Sequence, residues 1–263
     1  MIDPGKYALV TGASSGIGWH ICRELAQRGY SIIAVSNQSD HLNSLKQELE
    51  ETYQTTVHLF DYDLAKSDAA ERIYDFCQHK NLSVEVLVNN AGVLIYGEVT
   101  SVGVADAKTI LQLHMNTPAI LCRLFGAEMA KNKRGYILNV SSISAVMAFP
   151  TISLYGPTKT FLRQFSRADG MEMKDSGVTI TCLLPGATAT ALYDAEKVNI
   201  PLALRLGVMK MPEYVARTGV KALFKKRPEC VPGLLNKLIM ILIPLIPGWI
   251  IGLIYRKTKR KPW

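Results

Sequence analysis

Short apolar runs rich in β-branched residues alternate with longer amphipathic segments over most of this chain. The short runs have the length and composition of buried strands, and the longer segments repeat apolar residues at helical spacing. The predicted strands cover residues 7–10, 31–36, 55–60, 84–88, 136–140 and 178–183. The predicted helices cover residues 17–28, 40–53, 68–79, about 105–131 and 153–174.

Strands that alternate with helices are joined by crossovers, which make neighbouring strands parallel. We therefore predict an α/β fold, a doubly wound Rossmann-type parallel sheet of about six or seven strands with helices on both faces. The sequence has no internal repeat and no low-complexity linker, so residues 1–233 are predicted to form one domain. Residues 234–263 extend it, and Pro118 is expected to kink the fifth helical segment.

Composition favours a folded protein of a reducing compartment. Of 263 residues, 48% are apolar and 20% are charged, which is typical of globular domains. The five cysteines are scattered without a CxxC spacing, and the five histidines form no metal-binding pattern, so we expect neither disulfides nor a metal. The first strand begins near Lys6 and leaves no room for a signal peptide, which favours a cytoplasmic location.

Charge is concentrated at the C-terminal end. The net charge is +8, but no acidic residue follows Glu229, whereas six basic residues do. The remainder of the chain is close to neutral, so a nucleic-acid-binding surface is not expected.

A glycine-rich turn, TGASSGIG at residues 11–18, lies between the first strand and the first helix. Glycines at 12, 16 and 18 allow a tight turn and close approach of a ligand to the backbone. The following helix N-terminus presents free N–H groups to a phosphate. This placement predicts dinucleotide binding. Ser36 and Asn37 end the second strand, where an acidic residue would favour NAD, so we expect NADP(H) rather than NAD(H).

A possible acid–base pair lies further along the chain. Tyr155 and Lys159 are four residues apart, so on a helix both side chains share one face. A nearby ammonium group favours the phenolate, which predicts that Tyr155 has a lowered pKa and can exchange protons near neutral pH.

Together these motifs resemble the short-chain dehydrogenase/reductase family over most of the chain. The matching features are TGASSGIG at 11–18, Asp63-Leu64, Asn89-Asn90-Ala91-Gly92, Asn116, Ser142, Tyr155 with Lys159, and Pro185-Gly186 with Thr188 and Thr190. Thr188 departs from the valine that is common there.

The resemblance implies hydride transfer between a nicotinamide and a carbonyl or alcohol. Tyr155 would be the acid–base, Lys159 would lower its pKa and contact the ribose, and Ser142 would donate to the substrate oxygen. Asn116 would position a water that links Lys159 to solvent. The implied cofactor-binding residues are Gly12, Ser14, Ser15, Gly16, Ile17, Gly18, Ser36, Asn37, Asp63, Leu64, Asn89, Ala91, Gly92, Tyr155, Lys159, Pro185, Gly186, Thr188 and Thr190.

The substrate is expected to be a small hydrophobic molecule. Mostly apolar residues follow Ser142, and residues at about 188–212 are predicted to form a mobile lid. A lipid-like 3-oxoacyl thioester is an alternative substrate, as in one branch of the family that the chain resembles. From another functional class, the alternative is a catalytically idle dinucleotide-binding protein that regulates other processes. The intact set of Asn116, Ser142, Tyr155 and Lys159 favours the enzyme.

Residues 234–254 are nearly all apolar and are followed by a basic cluster at 256–261. The length approaches that of a membrane span, but Pro244 and Pro247 favour a helical hairpin. Three alternatives remain open: packing on the body or in a homo-oligomer, peripheral contact with anionic lipid, and a true span. A homo-oligomer is expected, and membrane association would occur through this segment.

Overall fold

A seven-stranded parallel sheet forms the centre of the protein, in a computed structural model that describes residues 6–190, 200–205 and 207–259. The strand order is β3-β2-β1-β4-β5-β6-β7, and every neighbouring pair is parallel. The strands are β1 (Tyr7–Thr11), β2 (Ser31–Ser36), β3 (Val57–Asp61), β4 (Val84–Asn89), β5 (Gly135–Val140), β6 (Val178–Leu183) and β7 (Glu229–Cys230). Because the order reverses between β1 and β4, a crevice forms at the carboxyl ends of these strands.

Helices cover both faces of the sheet. They are α1 (Gly16–Ala26), α2 (Ser39–Tyr53), α3 (Ala69–His79), α4 (Val104–Leu111), α5 (Thr117–Lys131), α6 (Tyr155–Glu172), α7 (Ile200–Arg205), α8 (Pro212–Phe224), α9 (Leu234–Leu242) and α10 (Gly248–Lys259). A π-helical turn, Gln112–Asn116, joins α4 to α5, and 3₁₀ turns lie at Ile143–Val146, Lys174–Ser176 and Ile243–Leu245.

Two apolar clusters hold these layers together. On one face of the sheet, buried residues such as Ile21 and Leu45 bring α1, α2 and α8 against the strands. On the other face, Ile73 of α3 and Phe125 of α5 pack against strand residues such as Leu87. Burial on both faces explains why the strands read as continuous apolar runs. The predicted doubly wound fold is confirmed.

The structure adds one strand to the six that the pattern predicts. β7 contains only two residues, which pair with Cys182 and Leu183 at the edge of the sheet. A further difference concerns the fifth helical segment. Its irregularity is the π-helical turn before Pro118, and Pro118 itself lies in the first turn of α5.

Only part of the predicted lid can be described. Residues 191–199 and 206 lie outside the described residues. The two ends of the segment lie side by side. Thr188 and Lys210 form an isolated parallel β-bridge, and the Ala189 N–H donates to the Lys210 carbonyl at 2.9 Å.

The helices α9 and α10 form a bent pair, which we call the C-terminal hairpin (residues 234–259). No single helix among the described residues has the length and apolar character needed to cross a bilayer. Leu234–Leu245 and Gly248–Lys257 reach that length only together, and they are bent by 106°.

Candidate active site

A cavity of about 440 Å³ opens at the carboxyl ends of the central strands. It runs from the turn after β1 past the ends of β2 and β4 to the start of α6 and the segment after β6. A site at the reversal of strand order is where doubly wound sheets bind their ligands.

The turn after β1 is shaped for a group that approaches the backbone. Gly12 and Gly16 have φ values of 63° and 54°, which favour glycine. A Cβ on Gly12 would lie 2.8 Å from the Cα of Ala91, and one on Gly16 would lie 2.9 Å from Cγ2 of Thr190. Because α1 begins at Gly16, its free N–H groups face this cradle. The diphosphate of a dinucleotide fits these features.

Gly18 has a different task from the one predicted. It does not line the cavity, and a Cβ there would lie 2.1 Å from the Gly12 carbonyl oxygen. The absence of a side chain at Gly18 therefore lets α1 pack against the turn, and its predicted contact with the cofactor stays a prediction.

The ends of β2 and β3 line another part of the cavity. Ser36 is buried and its hydroxyl donates to Oγ of Ser14 at 2.8 Å, while Asn37 is exposed. Asp63 is exposed and its Oδ1 accepts from the Ala65 N–H at 2.9 Å. Asp61, the residue paired with Ser36 across the sheet, accepts from the Ser39 hydroxyl and does not line the cavity.

Two consecutive asparagines at the end of β4 make different contacts. Asn89 is buried and donates to Oδ1 of Asn139 at 2.8 Å, so its side chain lies inside the fold rather than in the cavity. Asn90 lines the cavity and its Nδ2 donates to the carbonyls of Thr11 and Gly12 at 2.9 and 3.1 Å. The predicted contact of Asn89 with the cofactor stays a prediction, and the predicted set of cofactor-binding residues left out Asn90.

Tyr155, Lys159 and Ser142 converge at the other end of the cavity. Tyr155 opens α6 and Lys159 follows one turn later, as predicted from their spacing. Nζ of Lys159 lies 5.7 Å from the centre of the Tyr155 ring and donates to the Val140 carbonyl at 3.1 Å. Oγ of Ser142 accepts from the Ser144 N–H at 3.1 Å, which leaves its own hydrogen to be donated.

Burial controls the ionisation of this group. Burial raises the pKa of Tyr155 above its ordinary value of 10, while the hydrogen bond with Ser142 opposes that rise. Burial lowers the pKa of Lys159 to about 8. The prediction of a lowered Tyr155 pKa is therefore wrong in this structure: desolvation outweighs any attraction from the ammonium group.

Asn116 is not brought to this cluster. Its side chain is exposed, donates to Oε1 of Gln112 at 2.9 Å and is absent from the described residues that line the cavity. His114, two residues earlier in the π-helical turn, lies next to Tyr155 instead. This histidine is 1% exposed, lines the cavity, and its ring centre lies 5.6 Å from that of Tyr155. The five histidines form no metal-binding pattern and were expected to be surface or packing residues, so this contact with the site was missed.

Most predicted residues do line one cavity. They are Gly12, Ser14, Ser15, Gly16, Ile17, Ser36, Asn37, Asp63, Leu64, Ala91, Gly92, Ser142, Tyr155, Lys159, Pro185, Gly186, Thr188 and Thr190. Residues that the prediction missed include Gln38, Tyr62, Asn90, Thr109, Leu113 and His114.

Comparison with known proteins places the chain among related enzymes. The very-long-chain 3-oxoacyl-CoA reductase-A of Danio rerio is 30% identical over 197 residues, 73% of this chain and 61% of that protein. The 17-beta-hydroxysteroid dehydrogenase type 3 of Rattus norvegicus is 30% identical over 191 residues, 72% of this chain and 61% of that protein. The chain thus spans about three fifths of the length of these relatives.

The fold has close counterparts among solved structures. A short-chain dehydrogenase from Sphingobium yanoikuyae, in complex with NADPH, superimposes with a TM-score of 0.79 at 21% identity, covering 87% of this chain and 88% of that one. The family model described as short chain dehydrogenase matches residues 6–199. The chain therefore belongs to the short-chain dehydrogenase family.

Proposed function

We propose that this protein is an NADPH-dependent oxidoreductase that reduces a carbonyl group on a hydrophobic substrate. The observation that carries the proposal is the convergence of Tyr155, Lys159 and Ser142 in the cavity whose other end holds the glycine cradle. Proton donation and phosphate binding thus share one site. When bound, the nicotinamide cofactor supplies the hydride.

The residues present suit the reductive direction. A phenol whose pKa is raised by burial stays protonated at neutral pH, so Tyr155 can donate its proton to the carbonyl oxygen. The hydroxyl of Ser142 donates a hydrogen bond to the same oxygen and stabilises the charge that develops there. The Lys159 ammonium stabilises the phenolate that remains after proton transfer.

The cofactor preference rests on the end of β2. Cavity-lining Ser36, Asn37 and Gln38 carry no charge that would repel a 2′-phosphate. A fluorescence titration with NADPH and NADH tests this, and tighter binding of NADH would overturn it.

The proposed role of Tyr155 is tested by Tyr155→Phe. We expect the variant to bind NADPH as the wild type does and to lose turnover about 10³-fold or more with a panel of ketones of graded chain length. Tyr214→Phe, at an exposed position on α8, is the matched control. Unchanged turnover in Tyr155→Phe would refute the mechanism, whereas a wild type that binds NADPH but reduces no ketone of the panel would favour the idle dinucleotide-binding protein.

For the C-terminal hairpin we propose docking on an anionic bilayer. Its outward side chains form an apolar surface at Leu234, Leu235, Leu238, Ile241, Leu242, Leu245, Ile246, Trp249, Leu253 and Ile254. Such a contiguous apolar surface is rare on monomeric soluble proteins. Basic residues follow this surface in the sequence and no acidic residue comes after Glu229, so this part of the chain carries the charge that anionic headgroups attract.

The hairpin is fixed beside the cavity. Asn236 is buried, donates to the Pro232 carbonyl at 2.7 Å and lies against Gly186, which lines the cavity. At the other end, the Tyr255 hydroxyl bonds to Glu98 in the segment after β4. Docking through this surface would bring the cavity to the membrane, which supports a lipid-like substrate such as a 3-oxoacyl thioester.

Vesicle sedimentation tests the docking surface. We expect binding to vesicles that contain phosphatidylserine, weakened by high salt and abolished by Leu242→Glu combined with Leu245→Glu. Val104→Glu, which places the same charge on an equally exposed apolar residue of α4, should bind normally. If the wild type does not bind these vesicles but is a dimer, and the double variant is a monomer, the surface is instead a contact between two copies of the chain.

A further inference from the structure

His114 is a buried titratable residue for which the mechanism above has no task. It lies in the π-helical turn Gln112–Asn116 and packs edge-on against Tyr155, with 75° between the ring planes. A polar ring that is 1% exposed costs free energy unless both of its nitrogens are hydrogen-bonded.

Both nitrogens have partners, and one of these fixes the tautomer. The Val93 N–H, which can only donate, lies 3.0 Å from Nε2. Nε2 must therefore carry the lone pair, so in the neutral ring the hydrogen is on Nδ1. Nδ1 lies 3.0 Å from the Thr158 hydroxyl and donates to it.

The hydrogen bonds continue in one direction into the catalytic helix. The Thr158 hydroxyl donates to the Tyr155 carbonyl at 2.8 Å. Every N–H or O–H group in the series therefore donates in the direction of α6. The series thus runs from the backbone of the segment after β4 to the first turn of α6. Both segments line the cavity.

A protonated ring would break this series. The Val93 N–H would then face another donor, and the new charge would lie close to the Lys159 ammonium. Burial and the charge of Lys159 hold the pKa of His114 well below its ordinary value. Tyr155, the other titratable group in contact with the ring, is itself uncharged at neutral pH, because burial raises its pKa above 10.

The ring also sets the shape of the cavity wall. A Cβ on Gly92 would lie 2.9 Å from Nε2 of His114 and 3.6 Å from Nζ of Lys159. Glycine at this position allows the chain to reach the imidazole.

We propose that His114, as a neutral imidazole with its hydrogen on Nδ1, is the positioning residue that clamps the segment after β4 to the helix bearing Tyr155 and Lys159. The inference rests on the proposed function, because it assigns His114 a task in the same reaction.

Thr158 offers a pair of variants that tests the clamp. Thr158→Val keeps the volume but loses the hydroxyl, whereas Thr158→Ser keeps the hydroxyl. We expect kcat to fall about 10- to 100-fold in Thr158→Val and in His114→Phe, with the NADPH dissociation constant within about twofold of wild type. Thr158→Ser and the control His79→Phe, at an exposed position at the end of α3, should retain kcat. Equal kcat in Thr158→Val and Thr158→Ser would overturn the clamp.

The tautomer is tested on the free protein without any substrate. In ¹⁵N-histidine-labelled protein, we expect the His114 ring to show a protonated Nδ1 and an unprotonated Nε2 from neutral pH down to the ordinary histidine pKa of 6.5. A hydrogen on Nε2, or titration of the ring within that range, would refute the inference. Because this result does not depend on turnover, it is separable from the Tyr155→Phe test, whose failure would refute the proposed reaction instead.

Discussion

Lys159 should make the protein more stable as the pH rises above neutrality. Its side chain is 5% exposed, and burial lowers its pKa from 10.5 to about 8. Below pH 8 both the folded and the unfolded protein carry the proton, so the folded state bears the full cost of a buried cation. Between about pH 8 and 10.5 the folded protein loses the proton first, and the cost is progressively removed.

The size of the effect follows from the two pKa values. Their difference corresponds to about 3 kcal/mol at neutral pH, of which roughly 2 kcal/mol is removed by pH 9.5. Lys159→Met removes the titrating group but leaves the other titrating groups in place. The free energy of unfolding of the wild type should therefore rise by roughly 2 kcal/mol relative to Lys159→Met between pH 7 and 9.5.

Urea unfolding at a series of pH values measures this difference. The same substitution at exposed Lys131, in the last turn of α5, controls for the loss of one positive charge, and its stability should run parallel to that of the wild type. A constant gap between wild type and Lys159→Met would show that Lys159 is not a buried cation at neutral pH. Lys159 could then not be the cation that stabilises the Tyr155 phenolate.

Two further predictions concern the framework of the site. Gly18→Ala should destabilise the fold by about 1–3 kcal/mol and weaken NADPH binding, because its Cβ meets the Gly12 carbonyl at 2.1 Å. Gly170→Ala, whose nearest contact is 3.6 Å away in a helix interior, should instead stabilise by about 0.5–1 kcal/mol in thermal unfolding; equal effects would contradict the packing argument. Glu229→Gln should cost about 1–3 kcal/mol, because Glu229 accepts two bonds from Arg163 at 2.8 and 3.0 Å in a partly buried pair that ties α6 to β7. Glu213→Gln, in the exposed pair with Arg217, should change stability little, and a similar loss there would refute the role of burial.

The strands and the cradle were predictable because their signals are local. Burial on both faces demands continuous apolar residues, and a turn with positive φ at residues 12 and 16 demands glycine. β7 has only two residues, too few to carry a pattern of its own. The choice between Asn89 and Asn90 depends on strand register, since Asn89 is the last residue of β4 and points into the fold beside Asn139.

The ionisation of Tyr155 could not be predicted from spacing. The interval of four residues places Lys159 near Tyr155, but it contains no information about burial. Because the pKa of Tyr155 follows desolvation first, only the tertiary structure decides its direction.

The geometry of the helix explains why the side chain of His114, and not that of Asn116, lies in the cavity. In a regular α-helix residues 109, 113 and 116 share one face, and Thr109 and Leu113 do line the cavity. The Thr117 N–H, however, bonds to the Gln112 carbonyl in a wider π-helical turn, which advances less per residue and carries Asn116 out to solvent. Pro118 accounts for the wider turn, because it has no N–H for the His114 carbonyl and its ring would crowd that carbonyl in an α-helix. The proline that we expected to kink the helix therefore also decides which side chain reaches Tyr155.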